Sequence, residues 1–285
     1  MKKKLLLLGA TGFLGEFILK DKKFSKNFKI IRHGYKKKSY LNIDLTKKKN
    51  VYKLIQKTNP EIIINLVSNS NVDECEKNYK KAFLLNTKIA QNIVEAAPKI
   101  YKIQLSTDHL YNLRKGSDEK KVKLVNNYSK TKYLGELAYK KSKNKLIIRT
   151  NFFGRSTNTD RGIVNWIIKS YLKKKVIYAI NDIFFNPLHI NTFCKEFYKL
   201  IEKKVTGTYN LGSKNFISKS IFIKEFFKVN KVKYKKLKFV NYKDHQISRT
   251  PRPRYMIMDC KKVEKKIGTK MPNIYKEISK AKYKF

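Results

Sequence analysis

Residues 1–17 read MKKKLLLLGATGFLGEF, and two unrelated kinds of segment begin this way. Three lysines followed by an apolar run suggest a secretory signal peptide. Such a peptide needs an unbroken apolar core of about 7–15 residues and a small-residue cleavage site. Here only Leu5 to Leu8 are unbroken before Gly9, and Glu16 stands where the core would continue. The second reading fits better. Lys4 to Leu8 is a short buried strand, and FLGEFILK (13–20) has helical spacing, with Phe13 and Phe17, then Leu14 and Ile18, turned inward. Gly9, Gly12 and Gly15 then mark a strand-to-helix turn. Gly9 permits the tight bend, Gly12 lets backbone N–H groups approach a pyrophosphate, and Gly15 lets helix and strand pack closely. The helix N-terminus faces the phosphate charge. A glycine pattern is weak by itself, but the strand before it and the helix after it are the context a dinucleotide loop requires.

Further along, strands and helices alternate. KIIRH (29–33) reads as a strand, 46–58 as a helix with Val51, Leu54 and Ile55 inward, and EIIINLV (61–67) as a strand covered on both faces. A helical stretch follows at 74–97 in two pieces, then a strand at 100–106, a helix at 127–142 and a strand at 145–150. This alternation predicts an α/β fold with a Rossmann-type, doubly wound parallel sheet, ligands binding where the strands end. Residues 1–150 form the expected dinucleotide-binding domain. Residues 151–285 form a smaller C-terminal α/β lobe, mainly substrate-binding, with some segments returning to the main sheet. It has helices at 161–174, 190–203, 218–228 and 271–281, and short strands near 176–179, 207–211 and 237–241. A cleft between the lobes would hold the substrate.

The 285 residues suffice for one large or two modest cores. No run of eighteen apolar residues occurs, so no membrane span is expected. Cys75, Cys194 and Cys260 lie far apart without metal-ligand spacing, as in reduced thiols of a cytoplasmic protein. The formal net charge of +46 raises the question of nucleic acid. Only eight basic residues are Arg against 59 Lys, spread along the whole chain, whereas base and phosphate recognition leans on Arg forks. A lysine-biased composition on solvated faces, with no specific nucleic-acid partner, is the preferred reading. A homodimer is compatible with such a chain.

Two segments carry chemistry. LSTDHLY (105–111) ends a strand, and YSKTK (128–132) opens a helix with Tyr128 and Lys132 on one face. A lysine cation beside a phenol favours the phenolate and lowers the tyrosine pKa from its usual ~10. Tyr128 can then give or take a proton near neutral pH, while Thr107 hydrogen-bonds the same substrate oxygen. Several Tyr-x-x-x-Lys matches occur in this chain by chance. The order of glycine loop, STD strand end and Tyr-x-x-x-Lys helix is what singles this one out.

That order, with Gly-x-x-Gly-x-x-Gly spacing, resembles the extended branch of the short-chain dehydrogenase/reductase superfamily. Within it the chain is similar to the dTDP-4-dehydrorhamnose reductase family, through GATGFLG (9–15), IDLT (43–46), INLVSNSNVDECE (64–76), NTKIAQNI (86–93), QLSTDHLY (104–111), YSKTKYLGE (128–136), IIRTNFFG (147–154), GTYNLGS (207–213) and RPRYMIMDCKKVEKKIG (252–268). The resemblance implies Thr107, Tyr128 and Lys132 as the catalytic set, the last two also touching cofactor. It implies Gly9, Thr11, Gly12, Phe13, Leu14 and Gly15 at the pyrophosphate, Asp44 and Leu45 at the adenine, Leu66, Val67 and Ser68 on the adenosine and ribose side, and Arg252 near the nucleotide sugar. Asp108 and His109, with Phe152 and Phe153, complete the candidate substrate residues; either ring could stack on a base or pack in the core. No metal site is expected.

The implied activity is NADPH-dependent reduction of a nucleotide-linked 4-keto-6-deoxy sugar, for activated deoxysugar and polysaccharide biosynthesis. Cofactor choice rests on charge. No carboxylate ends the second strand at IRHGYKKK (31–38), where Arg32, His33 and Lys36 can meet a 2′-phosphate. NADP(H) is therefore preferred, with NAD(H) as the other option. A nucleotide-sugar epimerase, or a non-catalytic NADP-binding regulatory subunit, remains as an alternative. A 4,6-dehydratase is disfavoured because His109 stands where its glutamate would follow Asp108. Departures from the family at His109, Ile183, Leu188 and Met256 bear on the sugar. Arg149 reads as a link between lobes or a phosphate ligand, Asn86 as a helix fastener, and Trp166 and His189 as structural.

Overall fold

The computed structural model describes residues 1–34, 40–157, 159–244 and 250–283. The chain divides into two compact units: Met1–Thr107 with Val125–Arg149 and Cys194–Tyr209, and Asp108–Leu124 with Thr150–Phe193 and Asn210–Phe285.

The first unit is an α/β layer structure around a six-stranded sheet. Strands β1 (Lys3–Leu8), β2 (Phe28–His33), β3 (Ile62–Asn65), β4 (Tyr101–Leu105) and β5 (Lys145–Thr150) run in the order β5-β4-β3-β1-β2, and Gly207–Leu211 lies outside β5. All four pairings among β1 to β5 are parallel, with Leu5 opposite Ile62 and Leu8 opposite Asn65. This is the Rossmann-type arrangement expected from the alternation. The run Leu5 to Leu8 is fully covered, so the lysine-led apolar stretch is a central strand. Its alternation sends Leu6 and Leu8 to one face. There they join Ile63 and Ile147 beneath helices α3 (Lys48–Thr58), α6 (Ile89–Ala96) and α7 (Asn127–Lys140), through Val51, Leu54, Ile55, Ile93 and Tyr139.

Helix α1 (Phe13–Lys20) faces inward differently from its expected orientation. Leu14, Gly15, Glu16 and Ile18 are buried, while Phe13 and Phe17 are half-buried and meet edge to face at 5.5 Å. Gly15 dictates this rotation. A Cβ there would lie 2.5 Å from the Ala10 carbonyl oxygen, so the glycine must face the strand end. Its helical neighbours Leu14 and Ile18 turn in with it. Helix α2 (Lys22–Asn27) follows at once, capped by Asp21, and its Phe24 packs on Tyr198 at 5.3 Å. Between β3 and β4 the chain is helical in more pieces than expected: α4 (Val72–Lys77), α5 (Tyr79–Phe83), a π-turn (Leu84–Lys88) and α6.

The second unit has its own core. Helices α8 (Ile163–Leu172), α10 (Lys219–Val229) and α12 (Ile274–Ile278) contribute Ile167, Phe222, Phe226 and Ile278 to it. Its strands are short: β6 (Phe152–Phe153), β7 (Ile177–Ile180), β8 (Phe184–Phe185), β9 (Leu188–His189), then, after α9 (Ile190–Glu202) and the edge strand β10 (Gly207–Leu211), β11 (Ile217–Ser218), β12 (Leu237–Val240) and β13 (Tyr255–Met256). They pair as β11-β8-β13, β12-β7 and β6-β9. A further helix, α11 (Lys261–Ile267), was not anticipated. Trp166, expected in the core, lies on an exposed side of α8, 43% accessible, while Val164, Ile167 and Ile168 are buried. A ten-residue helix buries one stripe, and those aliphatics occupy it.

One buried charge of the sheet has a measurable consequence. Lys102 in β4 is fully buried and donates from Nζ to Ser142 Oγ at 2.8 Å. Burial pulls its pKa down to about 8. An unfolded chain keeps that proton up to about pH 10.5, so it binds more protons than the folded chain between the two values, and stability rises with pH there. Lys132, also depressed to about 8 by burial, acts in the same direction. From about pH 9 the sign turns, because the buried thiols of Cys75 and Cys194, pushed up to about 11 and about 12 by burial, keep their protons only when folded, and buried Tyr101, donating to Val205 O at 2.6 Å, adds to this above about pH 10. The urea midpoint is therefore expected to increase from pH about 7.5 to about 9 and to fall again beyond about 10. A steady fall across the first interval would show that the buried lysines do not govern it.

Candidate active site

In the first unit, the turn between β1 and α1 is built by glycines. Gly9 has φ +80°, a conformation that L side chains rarely adopt, and a Cβ on it would press on the Val67 backbone at 3.0 Å. Its N–H and that of Ala10 donate to His33 O at the end of β2, 3.1 and 2.9 Å. The Gly12 N–H is spent on Gly9 O. The first-turn amides of α1, at Phe13, Leu14 and Gly15, lie at the helix start, where an intrahelical ladder supplies no acceptor. Gly12 is exposed at the N-cap and supplies no side-chain cap, so no side chain competes for them. The uncapped amides and the Cβ-free cradle fit a pyrophosphate. Thr11 packs its methyl toward Gly34, where a Cβ would approach to 2.5 Å.

Around this turn, Arg32 is exposed near the end of β2, its guanidinium 5.8 Å from the Tyr40 ring centre. His33 does not share that side. It is buried, its Nε2 lies 2.8 Å from Ile43 O, and burial lowers its pKa. Strand alternation separates it from Arg32 and removes it as a phosphate candidate. Lys36 lies outside the described residues. Asp44 accepts from the Thr46 N–H and hydroxyl at 2.9 and 2.6 Å, and the hydroxyl bond holds its carboxyl below the usual range. This turn presents the buried Leu45, whose carbonyl Asn92 holds at 2.9 Å. Leu66, Val67 and Ser68 follow β3 half-buried, with Leu66 N bonded to Leu8 O and Val67 N to Asn65 Oδ1.

Thr107 is buried two residues beyond β4. Tyr128 and Lys132, 7% and 3% exposed, sit one turn apart on α7. Lys132 donates from Nζ to Leu105 O, the last residue of β4, at 2.7 Å. That bond ties the helix pair to the strand end carrying Thr107. Burial lowers the Lys132 pKa to about 8, against an opposing pull from Glu136. The amino group therefore stays mostly charged at neutral pH.

Several residues that seat this helix were missed from sequence. Asn126 and Ser129 form a capping box, and Glu76 of α4 accepts from Asn127 N at 2.9 Å. Thr87 of the π-turn donates to Thr131 O at 2.8 Å. Asn86, expected to fasten a helix to a neighbouring strand, instead reaches the loop after β3 and helix α7: its amide nitrogen bonds Asn69 O and Thr131 Oγ1, and its Oδ1 accepts from Asn69 N. Cys75 packs with Tyr128, Val72 and Ala82, its thiol pushed up to about 11 by burial. Arg149, read from sequence as a lobe bridge or a phosphate ligand, has a buried carboxylate partner inside the first unit. It forks onto Glu136 of α7, with Nε and Nη2 at 2.9 and 2.6 Å from the carboxylate oxygens, both side chains buried. The Ser-Thr-Asp and Tyr-x-x-x-Lys patterns mark the candidate groups in the sequence; nothing comparable marks the groups that hold them.

The second unit carries the candidate substrate residues. Asp108 is buried and accepts from Asn151 Nδ2 at 2.7 Å. His109 follows in a 3-10 turn (Asp108–Leu110), its pKa brought down to about 3 by burial and by the charges of Lys219 and Arg252. Phe152 is half-exposed, 5.0 Å from Phe193. Phe153 is a core residue, not a substrate contact: it is 1% exposed and meets His189 and Phe222 edge to face. Adjacent residues of β6 point opposite ways, so only one of the two rings can face a ligand. His189 has a structural part, its N–H held by Glu277 at 2.8 Å. Among the described residues, no helix is long and apolar enough to cross a membrane, and no group of three or more His, Cys, Asp or Glu could hold a metal ion.

The model of the RmlD substrate binding domain family matches residues 3–284. The chain belongs to this family. Among curated relatives, the dTDP-4-dehydrorhamnose reductase of Aggregatibacter actinomycetemcomitans is 24% identical over 211 residues, 72% of this chain and 69% of that one. The spore coat polysaccharide biosynthesis protein SpsK of Bacillus subtilis is 24% identical over 214 residues, 72% of this chain and 73% of that one. Among solved structures, the dTDP-4-dehydrorhamnose reductase from Bacillus anthracis in complex with NADP superposes with a TM-score of 0.88 at 24% identity, covering 98% of both chains. The family membership and this fold agree with the sequence resemblance.

Proposed function

We infer that this member of the RmlD family is an NADPH-dependent reductase of a nucleotide-linked 4-keto-6-deoxy sugar, acting in activated deoxysugar synthesis. The observation that carries the reading is the buried Tyr128–Lys132 pair, with Lys132 bonded to the end of β4 two residues before Thr107. The names of the relatives above, and the NADP held by one of them, support the substrate class and the cofactor.

The first-turn amides at Phe13, Leu14 and Gly15, with Thr11 beside them, would hold the cofactor's pyrophosphate, with Asp44, Leu45 and residues 66–68 along the adenosine. Arg32 would meet a 2′-phosphate. When bound, the nicotinamide supplies the reducing hydrogen and its electron pair. Tyr128 supplies the proton to the carbonyl oxygen. The Lys132 ammonium one turn away eases its loss from the phenol. Thr107 donates a hydrogen bond that orients the same oxygen. Burial of all three keeps bulk water from competing for those bonds.

The test is nicotinamide absorbance decay with purified protein and enzymatically generated dTDP-4-keto-6-deoxy sugar. Oxidation of NADPH, slower with NADH, is the expected result, and Arg32→Gln should narrow the difference between them. Binding of cofactor without oxidation of either would overturn the reductase reading.

A further inference from the structure

Strands β3 and β4 are interior strands of the sheet, and such strands are built mainly from apolar residues, as Ile62 to Ile64 and Ile103 are. Both nonetheless carry a buried amide where they approach the ligand edge. Asn65 and Gln104 lie directly opposite in the parallel register, each 1% exposed. Burying an amide pair costs free energy unless its polar atoms find partners, and an apolar pair would fill the same place without that cost. The bonds of this pair run in one direction. Val67 N donates to Asn65 Oδ1 at 3.1 Å, Asn65 Nδ2 donates to Gln104 Oε1 at 2.8 Å, and Gln104 Nε2 donates to Leu105 O at 3.2 Å. A backbone N–H can only donate, so Val67 fixes the orientation of the Asn65 amide, which fixes that of Gln104 in turn.

The last acceptor in this line, Leu105 O, is the one that Lys132 Nζ reaches at 2.7 Å. One carbonyl therefore takes a neutral donor from β4 and a charged donor from α7. The nitrogen of the same peptide unit is held as well: Ser106 N donates to Ile148 O of β5 at 2.7 Å. The peptide plane between residues 105 and 106 is thus pinned at both its oxygen and its nitrogen, and Thr107 follows it directly. At the other end, Val67 abuts the glycine turn, where a Cβ on Gly9 would lie 3.0 Å from Val67 N. Gln104 stands in the middle of a line of hydrogen bonds that begins beside Gly9 and ends at the lysine of the Tyr128–Lys132 pair. Without the Gln104 donor, the carbonyl would be aimed by Lys132 itself, a flexible four-carbon side chain with three rotatable donors. Acceptor and ammonium would then shift together.

We propose that Gln104 is a positioning residue: by aiming the Leu105 carbonyl it seats the Lys132 ammonium one turn from Tyr128 and ties that seat to the loop at 66–68. The proposal rests on the reductase reading above. The full chain is compared as parent, Gln104→Leu and the double variant Asn65→Leu with Gln104→Leu. Gln104→Leu should lower kcat about 10–10²-fold, the effect of a misplaced reacting group, while KM for the keto sugar and NADPH affinity stay within about twofold. Its melting temperature should fall, because Asn65 Nδ2 is left buried without its acceptor. The double variant strands neither amide, so its melting temperature should recover while kcat stays low. That split separates positioning from stability. Parent-like kcat in Gln104→Leu, a kcat that recovers with the melting temperature in the double variant, or a loss carried by KM would each overturn the proposal. Hydrogen exchange on the same proteins needs no substrate. Gln104→Leu should speed exchange at 66–68 and 105–107 together, and parent-like exchange at both would also overturn it. A parent that oxidises no NADPH, with that joint rise in exchange, would retain the line of bonds and remove the reductase.

Discussion

Tyr128→Phe is expected to bind NADPH as the parent does and to lose turnover by about 10²–10⁴-fold, the usual contribution of one positioned acid. The substitution is unusually clean here. The Tyr128 ring packs with Val72, Cys75 and Ala82, and a phenylalanine ring keeps those contacts. The helix beneath it is held by groups the substitution does not touch: the Asn126–Ser129 capping box, the Glu76 bond to Asn127 N, and the Thr87 bond to Thr131 O. Lys132 retains its bond to Leu105 O. Only the phenolic hydroxyl is removed, so a fall in kcat with unchanged cofactor affinity isolates its role. Steady-state turnover and cofactor titration on the same preparation read both quantities. Parent-like turnover would mean the proton comes from elsewhere, and the assignment of Tyr128 would fail.

What the sequence made legible follows from which forces act locally. Strands β1 and β3 were readable because a parallel strand covered on both faces must be continuously apolar, as Leu5 to Leu8 and Ile62 to Ile64 are. The Tyr128–Lys132 pair was readable because helical spacing alone puts both on one face. Other features depend on partners distant in sequence. Strands β6, β8, β9, β11 and β13 have two residues each and exist only through their neighbours, so no periodicity can announce them. The orientation of α1 is set by the approach of Gly15 to Ala10, which outranks the larger rings of Phe13 and Phe17. Phe152 and Phe153 are chemically identical in sequence, and only the pairing of β6 with β9 separates surface from core. Lys102 was hidden for a compositional reason. In a chain with 59 lysines, a buried one carries no mark until its surroundings are known.

Arg149 gives the largest expected effect on stability. Its guanidinium and the Glu136 carboxylate, 1% and 0% exposed, join β5 to the middle of α7 through at least two hydrogen bonds. Two charges removed from water are favourable only while they satisfy each other. Arg149→Met should therefore destabilise the protein by about 3–5 kcal/mol, because it strands a buried carboxylate. The double variant Arg149→Met with Glu136→Leu should recover most of the loss, since an apolar pair of similar volume strands nothing. Urea unfolding of parent, both single variants and the double variant closes the cycle and yields the coupling. Additive losses would show that the pair acts as two separate packing contacts. The stranded carboxylate also has a route to Lys132. Glu136 lies one turn beyond Lys132 and already acts on its charge. Without Arg149, that carboxylate competes with Leu105 O for the ammonium. Arg149→Met should then lose more turnover per folded molecule than the double variant, although the double variant is the more heavily substituted protein. The same turnover in both, measured well below their unfolding midpoints, would confine the pair to holding β5 against α7.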